Sequence, residues 1–187
     1  SSEKILNAFH NNLRLKMVSK LAYEDGLTNL YNRTSYQEIV TKIETEKTPT
    51  VVVMMDLNNL KFVNDTFGHD DGDEMLIYTA TMLRQAFKPS GATLYRIGGD
   101  EFVAFVQGDT AITKCENALR ELERLYREFN VTTNTHYKIV IACGYAYYDG
   151  LEKTDEDTLE EVIKEADSIM YENKKILKQT VYLNIMV

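Results

Sequence analysis

The sequence predicts one α/β (α+β) domain, a central mixed sheet flanked by helices, and three observations carry that reading. Apolar stripes at three- and four-residue steps alternate along the chain with short β-branched and aromatic runs. Two of those runs, 93–95 and 102–106, stand on either side of Gly98-Gly99 and read as a hairpin. A length of 187 residues suits a single domain with a full core.

Residues 4–24 carry Leu6, Phe9, Leu13, Met17 and Leu21 at helical spacing. The chain begins inside this pattern, as expected of a connecting helix cut from a longer protein and equally of a terminal helix packed on its own domain. Residues 1–22 are assigned to that helix and 23–187 to the domain. Lys16 and Lys20 interrupt the heptads, which argues against a stable isolated coiled coil. Thr34 or Ser35 can cap a second helix whose buried side is Tyr36, Ile39, Val40 and Ile43. Pro49 ends the connection, and residues 51–55, Val-Val-Val-Met-Met, read as a strand buried on both faces, with Asp56 at its C-terminal end. A short helical stretch over 59–65 leads to a turn around Gly68 and Gly72. The helix after it turns Leu76, Thr79, Leu83 and Phe87 inward and stops before Pro89. The hairpin follows, then an amphipathic helix over 110–129, a long strand over 137–147, and a final helix over 158–176. No internal repeat or low-complexity linker is present.

Composition narrows the function classes. A formal net charge of −8 argues against a nucleic-acid polymer as partner, which would need a basic face. A small nucleotide remains compatible, because metal ions and a few placed lysines can neutralise its phosphates. Cys115 and Cys143 lack metal-ligand spacing and read as free thiols in a reducing compartment. No apolar run approaches the roughly 20 residues of a membrane span, and no signal peptide is visible. The expectation is a cytoplasmic domain, with membrane anchoring of a longer parent left open.

Chemistry concentrates at Arg96-Ile97-Gly98-Gly99-Asp100-Glu101-Phe102. Glycines without Cβ let a ligand approach the backbone, and two adjacent acids at such a spot suggest a metal–phosphate site. Asp56, where a buried strand meets a loop, is a helix cap or a second ligand of the same ion.

These residues resemble the signature of the GGDEF family, the diguanylate cyclases. Asp25-Gly26-Leu27-Thr28-Asn29-Leu30-Tyr31-Asn32-Arg33 is similar to the family's opening motif. Residues 51–74 are similar to its first strand, metal carboxylate and guanine segment, and 166–174 to its closing helix. The resemblance covers roughly 21–178, in the family's order. It implies the nucleotide-cyclase palm, a ferredoxin-like core, and condensation of two GTP to cyclic di-GMP with release of two pyrophosphates. It implies Mg²⁺ (or Mn²⁺) held by Asp56, the Leu57 carbonyl, Asp100 and Glu101, with Asp100, Glu101 and Lys61 as catalytic residues. Substrate binding falls to Asn64, His69 and Asp73 on the guanine side, to Gly98 and Gly99 at the backbone, and to Arg96, Lys174 and Lys178 on phosphate. Arg96 has a dimer contact as its other expected place. Because each domain binds one GTP, turnover implies a homodimer, and an upstream sensory domain is expected in a longer parent.

The sequence departs from the family's pattern in places. Asn58 and Leu60 replace an aspartate and a phenylalanine, Leu177 a glycine, and Lys178 an arginine. Pro89-Ser90-Gly91-Ala92 stands where many members carry an Arg-x-x-Asp product site. Two other functions compete with synthesis: a degenerate domain that binds GTP or a partner without turnover, and a related cyclase with relaxed base choice.

Overall fold

Every residue of β1 (Thr50–Leu57) is buried, and that strand is the hub of the domain in the computed structural model, which describes residues 1–185. Its partners are β3 (Glu101–Gln107) on one side and β4 (Ile141–Tyr148) on the other; β2 (Thr93–Arg96) pairs with β3, giving the order β2-β3-β1-β4. All three ladders are antiparallel. Among the described residues the one parallel pairing is the isolated bridge Tyr31–Tyr95, so the expected mixed sheet is antiparallel apart from that bridge. The hairpin is the reason: β3, not β2, returns beside β1, and a hairpin reverses direction.

Side chains alternate across the sheet, as a period of two requires. Val51, Val53, Met55 and Leu57 join Phe102, Ala104 and Val106 in one core, under α3 (Leu60–Phe67), α4 (His69–Phe87) and α5 (Ala111–Thr132). Val52 and Met54 join Val103 and Phe105 in the other, under α2 (Arg33–Glu46) and α6 (Leu159–Ile185). Helices thus cover both faces of the sheet. At Gly144 the backbone of α6 lies directly on β4, and a Cβ there would collide with the Met170 nitrogen and the Ala166 carbonyl. The N-terminal helix, α1 (Ser2–Tyr23), has no buried residue, and Ile5, Leu15 and Leu21 are exposed.

Several boundaries differ from expectation, each for a local reason. Asn32, rather than Thr34 or Ser35, caps α2, accepting from the Ser35 N–H at 3.0 Å. The last strand starts at Ile141 because Asn130 captures the backbone before it. Its amide donates to the Ile139 carbonyl and accepts from the Ile139 N–H, both at 2.7 Å. Helix α5 continues three residues past the expected 129, to Thr132, and α6 runs on to Ile185. Both cysteines are free, Cys115 buried and Cys143 half-buried, and burial pushes each thiol up to about 12.

Candidate active site

The alternation that builds the core also aims the acids. Asp56 follows Val52 and Met54 on the α6 face of β1, and Glu101 is its direct cross-strand partner on β3. The Leu57 N–H donates to the Asp100 carbonyl at 2.9 Å, which ties the end of β1 to the loop holding Asp100. As a result Asp56, Asp100 and Glu101 present carboxylate oxygens that all lie within 4.8 Å of one another. Burial, then Asp100, drives protonation of Glu101 upward. Burial also raises Asp56 above the usual carboxylate range, against the pull of a hydrogen bond from Lys174. Like charges directly opposite on a sheet destabilise it.

Lys174 arrives by continuation of a stripe. Val162, Ala166 and Met170 line the buried side of α6, and the next position at a four-residue step is Lys174, whose Nζ lies 3.1 Å from Asp56 Oδ1. Lys178, one turn on, is exposed and close enough for its charge to favour the Asp56 carboxylate. The half-buried Leu177 packs against the α2–α6 core.

The hairpin loop is wider than a two-residue turn: residues 97–101 bridge the closing pair Arg96–Phe102. Neither Gly98 nor Gly99 has a positive φ, so left-handed geometry is not why glycine stands there. A Cβ on Gly98 would lie 3.0 Å from a Glu101 oxygen, whereas Gly99 faces open space. Arg96 holds this loop. Its Nη1 pairs with Asp25 at 3.1 Å, and its Nε and Nη2 donate to the Gly99 carbonyl at 3.2 and 2.9 Å. Asp25 in turn accepts from the N–H and hydroxyl of Thr28 at 2.8 and 2.7 Å. Burial opposes these contacts, but they keep the Asp25 carboxyl below its ordinary range. The Arg96 guanidinium, expected near phosphate or a dimer contact, is therefore engaged within the domain. Arg33 adds a second support, donating to the Ile97 carbonyl at 3.0 Å. Asp25 and Arg33 were visible only as parts of the opening motif; nothing local in the sequence signals that they hold the loop.

The remaining expected residues lie on α3 and α4, which follow β1. Lys61, His69 and Asp73 are exposed, and Asn64 is half-buried. Gly68, at φ 98°, separates the two helices and stands at the N-cap of α4, so Asp73 is not a cap. The Asn64 amide sits against Gly72, where a Cβ would collide with its oxygen, one position before Asp73 in the chain.

The donor set fits a hard divalent cation: three clustered carboxylates with the Leu57 carbonyl at the same strand end. Asn58, two residues beyond Asp56, is buried, and its amide oxygen has no hydrogen-bond partner among the described residues.

Residues 22–180 match the family described as diguanylate cyclase, GGDEF domain. The probable diguanylate cyclase DgcT of Escherichia coli is 29% identical over 178 residues, covering 92% of this chain and 38% of that protein. The diguanylate cyclase VdcA of Vibrio cholerae is 29% identical over 166 residues, covering 87% of this chain and 47% of VdcA. The chain thus spans less than half the length of either relative. Among solved structures, the coiled coil and GGDEF domain of DgcB from Caulobacter crescentus, in complex with c-di-GMP, is similar in fold. It has a TM-score of 0.71 and 23% identity, and the match covers 93% of this chain and 92% of that one.

Proposed function

The chain belongs to the diguanylate cyclase GGDEF-domain family, and on that premise we propose that it condenses two GTP to cyclic di-GMP, releasing two pyrophosphates, in a dimer of facing domains. The observation that carries this reading is the meeting of Asp56, Asp100 and Glu101 at one sheet end, with Lys174 on Asp56. Asp56, the Leu57 carbonyl, Asp100 and Glu101 would hold Mg²⁺ or Mn²⁺. Bound there, the ion supplies charge neutralisation for the phosphates and favours displacement at the α-phosphorus.

In each half-reaction the 3′-hydroxyl of one GTP attacks the α-phosphorus of the facing GTP. In this reading Asp100 takes the hydroxyl proton, and Glu101 orients that hydroxyl. Lys174 exchanges Asp56 for the triphosphate when substrate enters, with Lys178 and Lys61 adding point charges to the phosphates. Gly98 and Gly99 leave the loop backbone open to the nucleotide. On the base side Asp73 and Asn64 together accept from guanine N1–H and the N2 amino group, and the Asn64 amide donates to O6, with His69 as a further base-side contact. Adenine offers the opposite pattern, and unpaired polar groups then discriminate against it.

Mass-spectrometric analysis of products from the purified chain, given GTP, ATP or both with Mg²⁺ or Mn²⁺, tests the reading. Cyclic di-GMP from GTP is the expected product. GTP that is bound but returned intact would establish a non-catalytic signalling domain instead, and mixed cyclic products would establish relaxed base choice.

A further inference from the structure

The corner between α3 and α4 is a glycine turn between two helices that share one core through Leu60, Val63, Met75 and Leu76, with Asn64 lying against Gly72. Gly68 carries no side chain and adopts φ 98°, and α4 has no side-chain cap. Its backbone bonds are Gly68 N–H to the Asn64 carbonyl at 3.0 Å and Gly72 N–H to the Gly68 carbonyl at 3.3 Å. Yet this corner sets the spacing between Asn64 on α3 and Asp73 on α4. A rotation at Gly68 would move one against the other.

One side chain from elsewhere in the fold grips both sides of it. The His136 ring stacks on Phe67, the last residue of α3, with centroids 5.0 Å apart and planes 24° apart. Its Nδ1 lies 2.8 Å from Asp71 Oδ2 in the first turn of α4. His136 belongs to the segment between α5 and β4, which is irregular but anchored. Tyr137 and Ile139 are buried, Asn130 holds both backbone groups of Ile139, and the Thr135 hydroxyl donates to the Tyr137 carbonyl at 2.7 Å. The backbone that carries the ring is thereby anchored, and the exposed ring meets both Phe67 and Asp71, with Gly68 between them.

We infer that His136 is a positioning residue for base recognition, clamping the Phe67–Asp71 corner so that Asn64 and Asp73 stand at the separation guanine needs. The contact is on the surface, where such pairs add little to global stability. Its effect falls on the geometry of the corner, where a small displacement of a hydrogen-bonding group lowers affinity. This inference rests on the guanine-side reading of Asn64 and Asp73.

Equilibrium binding of GTP and of ATP to the intact chain, alongside kcat and KM for GTP, tests it. His136→Ala should weaken GTP binding about three- to tenfold, the size of one lost aromatic and hydrogen-bond contact. ATP binding, kcat at saturating GTP and the thermal midpoint should stay unchanged. His136→Phe, which keeps the stack, should recover part of the loss. Asp71→Asn should cost less in the His136→Phe background than alone, because the two side chains act as one contact. Equal losses for GTP and ATP, no loss, additive effects, or a wild-type chain that does not prefer GTP would each overturn the inference. Selective GTP binding without cyclic di-GMP would refute synthesis while leaving the clamp measurable.

Discussion

At the scale of single residues, the acidic cluster is a place where function opposes stability. Asp56 and Glu101 face each other across a ladder with Asp100 beside them, and the Lys174 amine offsets only part of that repulsion. Asp100→Asn removes one charge at nearly constant volume. It should abolish cyclic di-GMP synthesis and at the same time raise the thermal midpoint of the metal-free chain by about 2–4 °C, the shift expected from roughly 1 kcal/mol in a domain of this size. Calorimetry with chelator, beside product analysis, reads both effects, and full turnover in the variant would remove Asp100 from the mechanism. Asp73 makes a separate case. Exposed, inside α4 and not at its cap, it has no structural task that the fold reveals. Asp73→Ser should leave folding intact and lower the preference for GTP over ATP, measured as the ratio of the two binding constants. An unchanged ratio would place base recognition elsewhere.

Among the elements, the seating of α6 on β4 matters most to the site, because α6 delivers Lys174 to Asp56 from a register fixed four positions at a time. Gly144 permits that seating, since its missing Cβ is replaced by the backbone of Ala166 and Met170. Backbone cannot move aside as a flexible side chain can. Gly144→Ala should therefore cost about 1–3 kcal/mol, in the range of overpacked cores, and lower the urea midpoint. The same displacement should loosen Lys174 from Asp56. The Arg96 clamp is the other element-level device: by bonding Asp25 and the Gly99 carbonyl together, it fixes a wide loop whose glycines give it no intrinsic shape.

For the whole molecule, α1 stands apart from the packing. None of its residues is buried, while Tyr23 at its end still accepts from Asn32 and Ser35. Removing residues 1–20 should thus leave the thermal midpoint nearly unchanged. If α1 helps bring two domains face to face, the truncated chain should need higher concentration to reach the same rate per chain, read from initial rates over a dilution series. No helix among the described residues is long and apolar enough to cross a membrane. Product control should be weak. Ser90 is folded into a tight turn, its hydroxyl donating to the Phe87 carbonyl at 2.5 Å and accepting from the Ala92 N–H at 3.2 Å. This segment offers neither an arginine fork nor a carboxylate to a guanine–phosphate ligand. Calorimetry should show weak cyclic di-GMP binding, and initial rates at saturating GTP should be insensitive to added product. Tight binding that persists at saturating GTP would locate an inhibitory surface elsewhere.

What the sequence determined by itself was what local pattern can carry. An all-apolar run made β1 a buried strand with Asp56 at its end, helical stripes gave α2 and α4 to α6, and Gly-Gly-Asp-Glu marked the loop. The membership that follows from these motifs was legible for the same reason, since each motif is contiguous in the chain. The antiparallel sheet, the late start of β4 at Ile141, the Asp25–Arg96 hold and the His136 contact were not legible, because each depends on which distant segment comes to lie alongside. Lys174 reaches Asp56 across 118 positions, and no periodicity in either segment encodes that meeting. Tertiary structure decided it: of the two helices that cover the face Asp56 shares with Val52 and Met54, it is α6 that brings a lysine to the Asp56 end of β1.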